Sequence, residues 1–420
     1  MSESDFLGEL AWRGMLQQHT DGAGRMLAAG TVSGYAGFDP TAPSLHVGSL
    51  VPIMGLVHLQ RQGHRPYALV GGGTGMIGDP SGKTAERTLQ SIDQVMANAE
   101  SIGVQLSRFL DFSGPRAAVL RNNADWLLGM GAVEFMRDVG KHLTVNYMIA
   151  KDSVKSRMDA GISYTEFSYM LLQAYDFVAL RRRDGVTLQV GGSDQWGNMT
   201  AGVELIRRMD GAEAHAVTFP LLTTAAGAKF GKTEAGAVWL DADRTSPYQF
   251  FQFWINTDDR DVGRYLRLMT LLDREVIESL ESDVIEHPER RGAQSALARE
   301  ITARVHGDEA ALIAGEVSRV LFGRGEVSGL APAVLAALAK EVPGATVSRD
   351  EQLSLTDLFV RAGLVKSKGE ARRVADQGGA YVNGERAASG LMLSEIVPLA
   401  GSYILLRKGA RDYAMIQVAG

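Results

Sequence analysis

The residues of this chain whose types and spacing can do chemistry sit in a few short runs. The first is His46-Val-Gly48-Ser49, inside GFDPTAPSLHVGSL, where two prolines and Asp39 lead into an apolar stretch. If a helix begins near Leu45, His46 and Ser49 are three residues apart and share a face of its first turn. Gly48 leaves room for a ligand to approach the backbone, and the unpaired N–H groups and helix dipole favour an anion. The second run is AKFGKT, residues 228–233, with Lys229 and Lys232 around Gly231 and a hydroxyl at Thr233. The third, GGGTGMIGDPSGKT at 71–84, carries Asp79 and Lys83, with Arg87 one turn beyond. Brought together, these groups are what in-line attack on an α-phosphate needs: donors for charge building on the phosphorus oxygens and on a departing pyrophosphate. Taken singly, each also has a plain structural reading as a capped turn, a solvated loop or a glycine-rich turn.

Two nucleotide signatures fail on spacing. Gly73, Gly75 and Gly78 form G-x-G-x-x-G after an apolar run, but Pro80 follows where a dinucleotide fingerprint needs its helix under way. GDPSGKT has three residues between its glycines where a P-loop needs four. A further constellation lies in YTEFSYMLLQAYDF: Tyr169, Gln173 and Asp176 at i, i+4 and i+7 share one face of a mostly apolar helix. They are either a polar binding face or buried polar groups satisfied within the core.

These residues need a scaffold that gathers distant loops. From Thr31 to about Phe219, short extended runs (TVSGYAGF, RPYALVGG, RAAVLRN, VTLQVGG, AVTFPLL) alternate with helical stretches such as HVGSLVPIMGLVHLQRQG. That alternation predicts a doubly wound, Rossmann-like α/β domain over residues 1–244, whose ligands collect at the carboxyl ends of the strands. Helical sequence without strand runs follows over 245–325, then a Gly/Pro/Ala-rich linker at 326–353 with room for one helix. An α+β unit restarts at 354–420. This last part has nine Lys and Arg against six acids, whereas the whole 420-residue chain carries −6, so positive charge is concentrated at the end. Its basic helix bears Lys366, Lys368, Arg372 and Arg373 and suits an RNA backbone, or is simply a solvated face. The chain has no cysteine and no apolar run long enough to span a membrane, and its acidic amphipathic start is unlike a signal peptide, so a cytoplasmic protein is expected.

Read together, the runs resemble class I aminoacyl-tRNA synthetases, and more narrowly the bacterial tyrosyl-tRNA synthetases. HVGS stands where the class has His-x-Gly-His, and KFGKT where it has its Lys-Met-Ser-Lys-Ser loop. YAGFDPTAPSLHVGS, GGGTGMIGDPSGK, YTEFSYMLLQAYDF, VGGSDQWGN and KFGKT follow in the family's order, and LTDLFVRAGLVKSKGEARRVADQGGAYVNGE is similar to an S4 RNA-binding domain. The resemblance implies an ATP-dependent ligase of protein biosynthesis: L-tyrosine attacks Mg-bound ATP to give tyrosyl-adenylate and pyrophosphate, then passes to the 3′ end of its cognate tRNA. It implies that Tyr35 and Asp176 hold the phenol, while Asp79, Tyr169 and Gln173 hold the ammonium. Gln195 would lie near the carboxylate, with Gly37, Asp39, Gly48, Gly192 and Asp194 at the nucleotide. Thr41, His46, Ser49, Lys83, Arg87, Lys229, Lys232 and Thr233 would surround the phosphates. The resemblance further implies an anticodon-recognising role for the helical part, contact of Arg207 and Arg208 with the tRNA acceptor end, a homodimer, and neither a tightly bound cofactor nor a protein-held metal. Ser49 departs from the class, putting a short hydroxyl where an imidazole is usual. A tryptophan-specific enzyme is the near rival, and Tyr35 with Asp176 favours a phenol.

Overall fold

Five of the expected runs form strands of one sheet: β2 (Ser33–Phe38), β3 (Arg65–Val70), β4 (Val119–Asn122), β5 (Leu188–Gly192) and β6 (His215–Phe219). They run parallel, and a two-residue strand β1 (Gln18–His19) adds an antiparallel edge, giving the order β1-β6-β5-β2-β3-β4. β1 is too short to show a pattern and forms only because β6 offers an open edge. The chain builds outward from β2 in one direction and from β5 in the other, so β2 and β5 flank the switch point where such sheets open a crevice. The computed structural model describes residues 5–81, 89–158, 161–227, 230–233, 236–322 and 326–419, without the side chains of Asp152, Ser153, Ser156, Lys232 and Thr233.

The helix Tyr164–Asp184 packs on this sheet. Ser163 caps it by accepting from the Glu166 N–H at 3.2 Å, and Gly185 ends it at φ 69°. Its apolar side buries Met170, Ala174, Phe177 and Val178 among core residues that include Tyr35 and Tyr67. The polar i, i+4, i+7 face is thereby left toward the strand ends.

Contacts divide the chain into two units, Met1–Thr245 with Thr257–Leu297, and Ser246–Asn256 with Ala298–Gly420. The helices after residue 245 are shared out accordingly: Asp259–Met269 and Arg274–Glu286 belong to the first unit, Pro247–Ile255 and Asp308–Leu321 to the second. A small hairpin, β7 (Lys232–Thr233) with β8 (Gly236–Ala237), lies in the first unit. In the second, β9 (Gly344–Ser348), β10 (Ala380–Val382), β11 (Glu385–Arg386), β12 (Tyr403–Lys408) and β13 (Asp412–Ala419) form a sheet ordered β11-β10-β12-β13-β9. The stretch 326–353, expected as a linker, contains the helix Pro332–Glu341 and β9, which pairs in parallel with β13. One helix was expected there, and it starts on Pro332 and buries only Val334, Leu335 and Leu338; the strand was not, because β9 is a short, mostly exposed edge.

Candidate active site

A cleft of about 750 Å³ opens at the carboxyl ends of β2, β3 and β5. Tyr35, Gly37, Asp39, Thr41, His46, Gly48, Ser49, Asp79, Tyr169, Gln173, Asp176, Gly192, Asp194 and Gln195 all line it. Residues spread over 160 positions of sequence thus meet around one space.

Its deep end is polar and dry. Tyr35, on β2, is 1 % exposed, and its hydroxyl has no hydrogen-bond partner among the described residues although buried polar atoms ordinarily have one. Asp176 is 2 % exposed and accepts from Trp126 Nε1 at 2.8 Å and from Asn123 Nδ2 at 2.9 Å. Burial pushes the Asp176 carboxyl up to about 7, against the pull of those two donors. Burial, together with Asp176, pushes the Tyr35 phenol well above its usual range. An unpaired hydroxyl and a held carboxyl lining the same recess suit a ligand hydroxyl that both donates and accepts.

The middle of the cleft carries two carboxylates. Asp39 accepts from Tyr169 Oη and from Thr74 Oγ1, each at 2.8 Å, and Thr74 Oγ1 accepts in turn from Asn123 Nδ2 at 2.9 Å. Asp176, Asn123, Thr74, Asp39 and Tyr169 therefore form one connected chain. Asp79 accepts from Gln195 Nε2 at 2.6 Å and from the Ser81 N–H at 2.9 Å, and Asn198 Nδ2 donates to Gln173 Oε1 at 3.0 Å. Acceptors of this kind, ringed by amides and a phenol, suit an ammonium group.

At the mouth the structure corrects one expectation. The α-helix begins at Leu50, not near Leu45; a 3₁₀ turn, Val47–Ser49, precedes it, and His46 is extended at φ −121°, ψ 171°. The reason is pairing: the Val47 N–H donates to Val238 O and the Leu240 N–H to Leu45 O, both at 2.9 Å, holding Leu45 and His46 extended at an isolated antiparallel bridge. His46 and Ser49 both reach the cleft, but not as neighbours on an α-helical turn. The Gly48 N–H donates to His46 Nδ1 at 3.0 Å, which leaves the proton of the neutral ring on Nε2. A Cβ on Gly48 would lie 2.7 Å from His46 Cε1, so this glycine makes room for the imidazole as well as for a ligand.

The second cationic run reaches the same place. Gly231, at φ 79°, packs so closely that a Cβ there would lie 2.8 Å from Val47 Cγ2 and 3.4 Å from the Gly48 nitrogen. The backbone of Lys232 and Thr233 follows directly as β7; their side chains, together with Lys83, Arg87 and Lys229, lie outside the described residues.

Arg207 and Arg208 stand apart from the cleft, both held by Glu204, with Arg208 also donating to His142 O. In the second unit Lys366, Arg372 and Arg373 are exposed and Lys368 pairs with Asp357. Sequence reasoning missed Asn123, Trp126, Thr74 and Asn198, which hold the lining residues, and Gln189 and Trp239, which line the cleft. A signal for the first existed: Asn122 ends strand β4, with Asn123 next, on the side where ligands gather.

Comparison with known proteins agrees with this geometry. Residues 28–323 match the family model of tRNA synthetases class I (W and Y), and 335–416 that of the tyrosine–tRNA ligase SYY-like C-terminal domain. The tyrosine–tRNA ligase of Anaeromyxobacter dehalogenans (strain 2CP-1) is 54 % identical over 417 residues, 99 % of each chain. That of Bacillus caldotenax is 51 % identical over 420 residues, 99 % of this chain and all of its own. Among solved structures, a C-terminally truncated mitochondrial tyrosyl-tRNA synthetase of Aspergillus nidulans is 32 % identical with a TM-score of 0.69, covering 76 % of this chain and 94 % of its own.

Proposed function

Since the chain belongs to the tyrosine–tRNA ligases of the class I tRNA synthetase family, we propose a division of labour along its cleft. The overall reaction is that of the family: tyrosine and ATP give tyrosyl-adenylate and pyrophosphate, and the tyrosyl group then passes to tRNA. Tyr35 and Asp176 receive the phenol hydroxyl; Asp79, Tyr169 and Gln173 receive the ammonium. Gln195 lies toward the carboxylate, and Gly37, Asp39, Gly48, Gly192 and Asp194 take the adenosine. The tyrosine carboxylate, already ionised, attacks the α-phosphorus and the bond to the β-phosphate oxygen breaks, so the first step needs no general base.

Thr41, His46, Ser49, Lys83, Arg87, Lys229, Lys232 and Thr233 stabilise the charge that grows on the phosphates, and Mg²⁺ enters with ATP as part of the substrate. Catalysis is then positioning and electrostatics. In the second step a ribose hydroxyl of the tRNA attacks the acyl carbon and AMP leaves.

The observation that carries this reading is the unpaired Tyr35 hydroxyl beside Asp176 at the closed end of a cleft whose mouth joins His46 to the Lys232 hairpin. Pyrophosphate exchange into ATP, measured across a panel of amino acids, tests it. Exchange with tyrosine alone is expected, whereas exchange driven equally by phenylalanine or tryptophan removes the phenol assignment.

For RNA, the helical part recognises the anticodon and Arg207 and Arg208 meet the acceptor end. Lys366, Lys368, Arg372 and Arg373 of the S4-like part contact the backbone. Beside them, Tyr381 faces Arg386 on β11 and Arg407 on β12 in register. The Arg407 guanidinium lies 3.8 Å from the Tyr381 ring centroid, and Arg386 Nε donates to its hydroxyl at 3.4 Å. Two guanidiniums fixed on one phenol, without a carboxylate partner among the described residues, suit phosphate oxygens.

The active form is a homodimer in the cytoplasm. Leu128, Val133, Met136 and Val145 are large apolar side chains more than half exposed, Val133 at 80 %, and a second copy would cover them. Sedimentation gives the mass directly. Among the described residues no helix is long and apolar enough to cross a membrane.

A further inference from the structure

We propose that Trp239 is a positioning residue for adenylate formation, acting through the imidazole of His46. The backbone sets this up. His46 and Trp239 face each other across an isolated antiparallel bridge, flanked by the bonds from Val47 to Val238 O and from Leu240 to Leu45 O. Neither His46 nor Trp239 exchanges backbone bonds with the other, and in antiparallel pairing that is the position at which facing side chains come closest. The two rings meet edge to face, centroids 6.3 Å apart and planes at 64°. That is an arrangement aromatic pairs favour.

The indole is itself held. Its backbone N–H donates to Thr245 Oγ1 at 3.0 Å, the Arg244 guanidinium lies 5.4 Å from its ring, and it lines the cleft. Among the described residues the imidazole is thus held by the Gly48 N–H at Nδ1 and by the indole against its ring. Two constraints define an orientation where one leaves the ring free to swing about its hydrogen bond.

The same bridge ties the second cationic run to the first. The Val238 N–H donates to Gly231 O at 3.2 Å, closing the β7–β8 hairpin immediately before the bridge residue. Trp239 thus follows that hairpin by one residue and sets its ring against the imidazole of the HVGS run. It couples the imidazole to the loop that carries Lys232 without itself meeting a reacting atom.

The inference rests on His46 acting at the phosphates, and a double-mutant cycle separates the two claims. Adenylate formation is followed by single-turnover kinetics in full-length Trp239→Leu and Trp239→Phe, each with His46 intact and with His46→Ala; tyrosine titration confirms that each variant folds. Trp239→Leu is expected to slow adenylate formation about tenfold with tyrosine affinity unchanged, and Trp239→Phe to recover most of the rate, because the ring edge is kept. In the His46→Ala background Trp239→Leu is expected to cost nothing further. Equal loss in both backgrounds, or no advantage of Phe over Leu, overturns the role of Trp239 alone. An unchanged rate in His46→Ala overturns the reading of His46 on which it stands.

Discussion

The two ends of the cleft are built on opposite principles. At the deep end most polar groups are held before a ligand arrives: Asp176 is gripped by Trp126 and Asn123, and Asn123 passes the network on to Thr74 and Asp39. The exceptions, among the described residues, are the Tyr35 hydroxyl and Oε1 of Gln189 beside it in register on β5. At the mouth His46 is exposed, and backbone pairing joins the two segments that meet there. On the proposed reading the buried, pre-formed end discriminates, because a wrong ligand leaves buried groups unpaired. On the same reading the open end accelerates, because donors around departing phosphates strengthen their contacts as charge develops.

That contrast predicts which measurement each substitution moves. Lys232→Ala should lower the rate of adenylate formation about 10²- to 10³-fold while tyrosine affinity stays near wild type; equal losses in both remove the contrast at the mouth. Asp176→Ala should do the reverse. Its preference for tyrosine over phenylalanine, taken as a ratio of kcat/KM, is expected to fall about 10- to 100-fold, the worth of a hydrogen bond to a charged group. Tyr35→Phe removes a neutral hydroxyl and should weaken tyrosine binding about 2- to 10-fold in equilibrium titration, with the adenylation rate barely altered.

A separate prediction concerns stability. A carboxyl titrating at about 7 when folded, and near 4 when unfolded, binds its proton more tightly in the folded state. The stability of the ligand-free protein arising from this group therefore falls as pH rises from about 4 to about 7. Asn at this position does not titrate, so Asp176→Asn should gain on wild type between pH 5 and pH 8 in urea unfolding. A constant difference would mean that the deep end is wetter than its burial indicates.

Much of the machinery was legible in the chain itself. The polar face Tyr169, Gln173, Asp176 follows from helical period, and the five parallel strands follow from apolar runs placed between helices, because both are local regularities. The start of the helix at HVGS was misplaced for the opposite reason. His46 is extended because its neighbours pair with 238–240, a partner nearly two hundred residues away that no local propensity announces. Asn123 went unnoticed on the same account: its partners Thr74 and Asp176 lie 49 and 53 residues away, and in the sequence it is one asparagine of two beside a strand.

What the amino-acid sequence determined alone is the inventory: a His-x-Gly run of a kind suited to phosphates, a loop with two lysines, a polar helix face, a parallel sheet to gather them and a basic end. Only the tertiary structure decided how they are held. It made Asp39 and Tyr169 partners across 130 residues, set Gly231 against Val47, and placed an indole on the imidazole. The physical reason is that side-chain type and period act through near neighbours. The orientation of a buried acceptor or an exposed ring, by contrast, is fixed by groups the fold brings in from far along the chain.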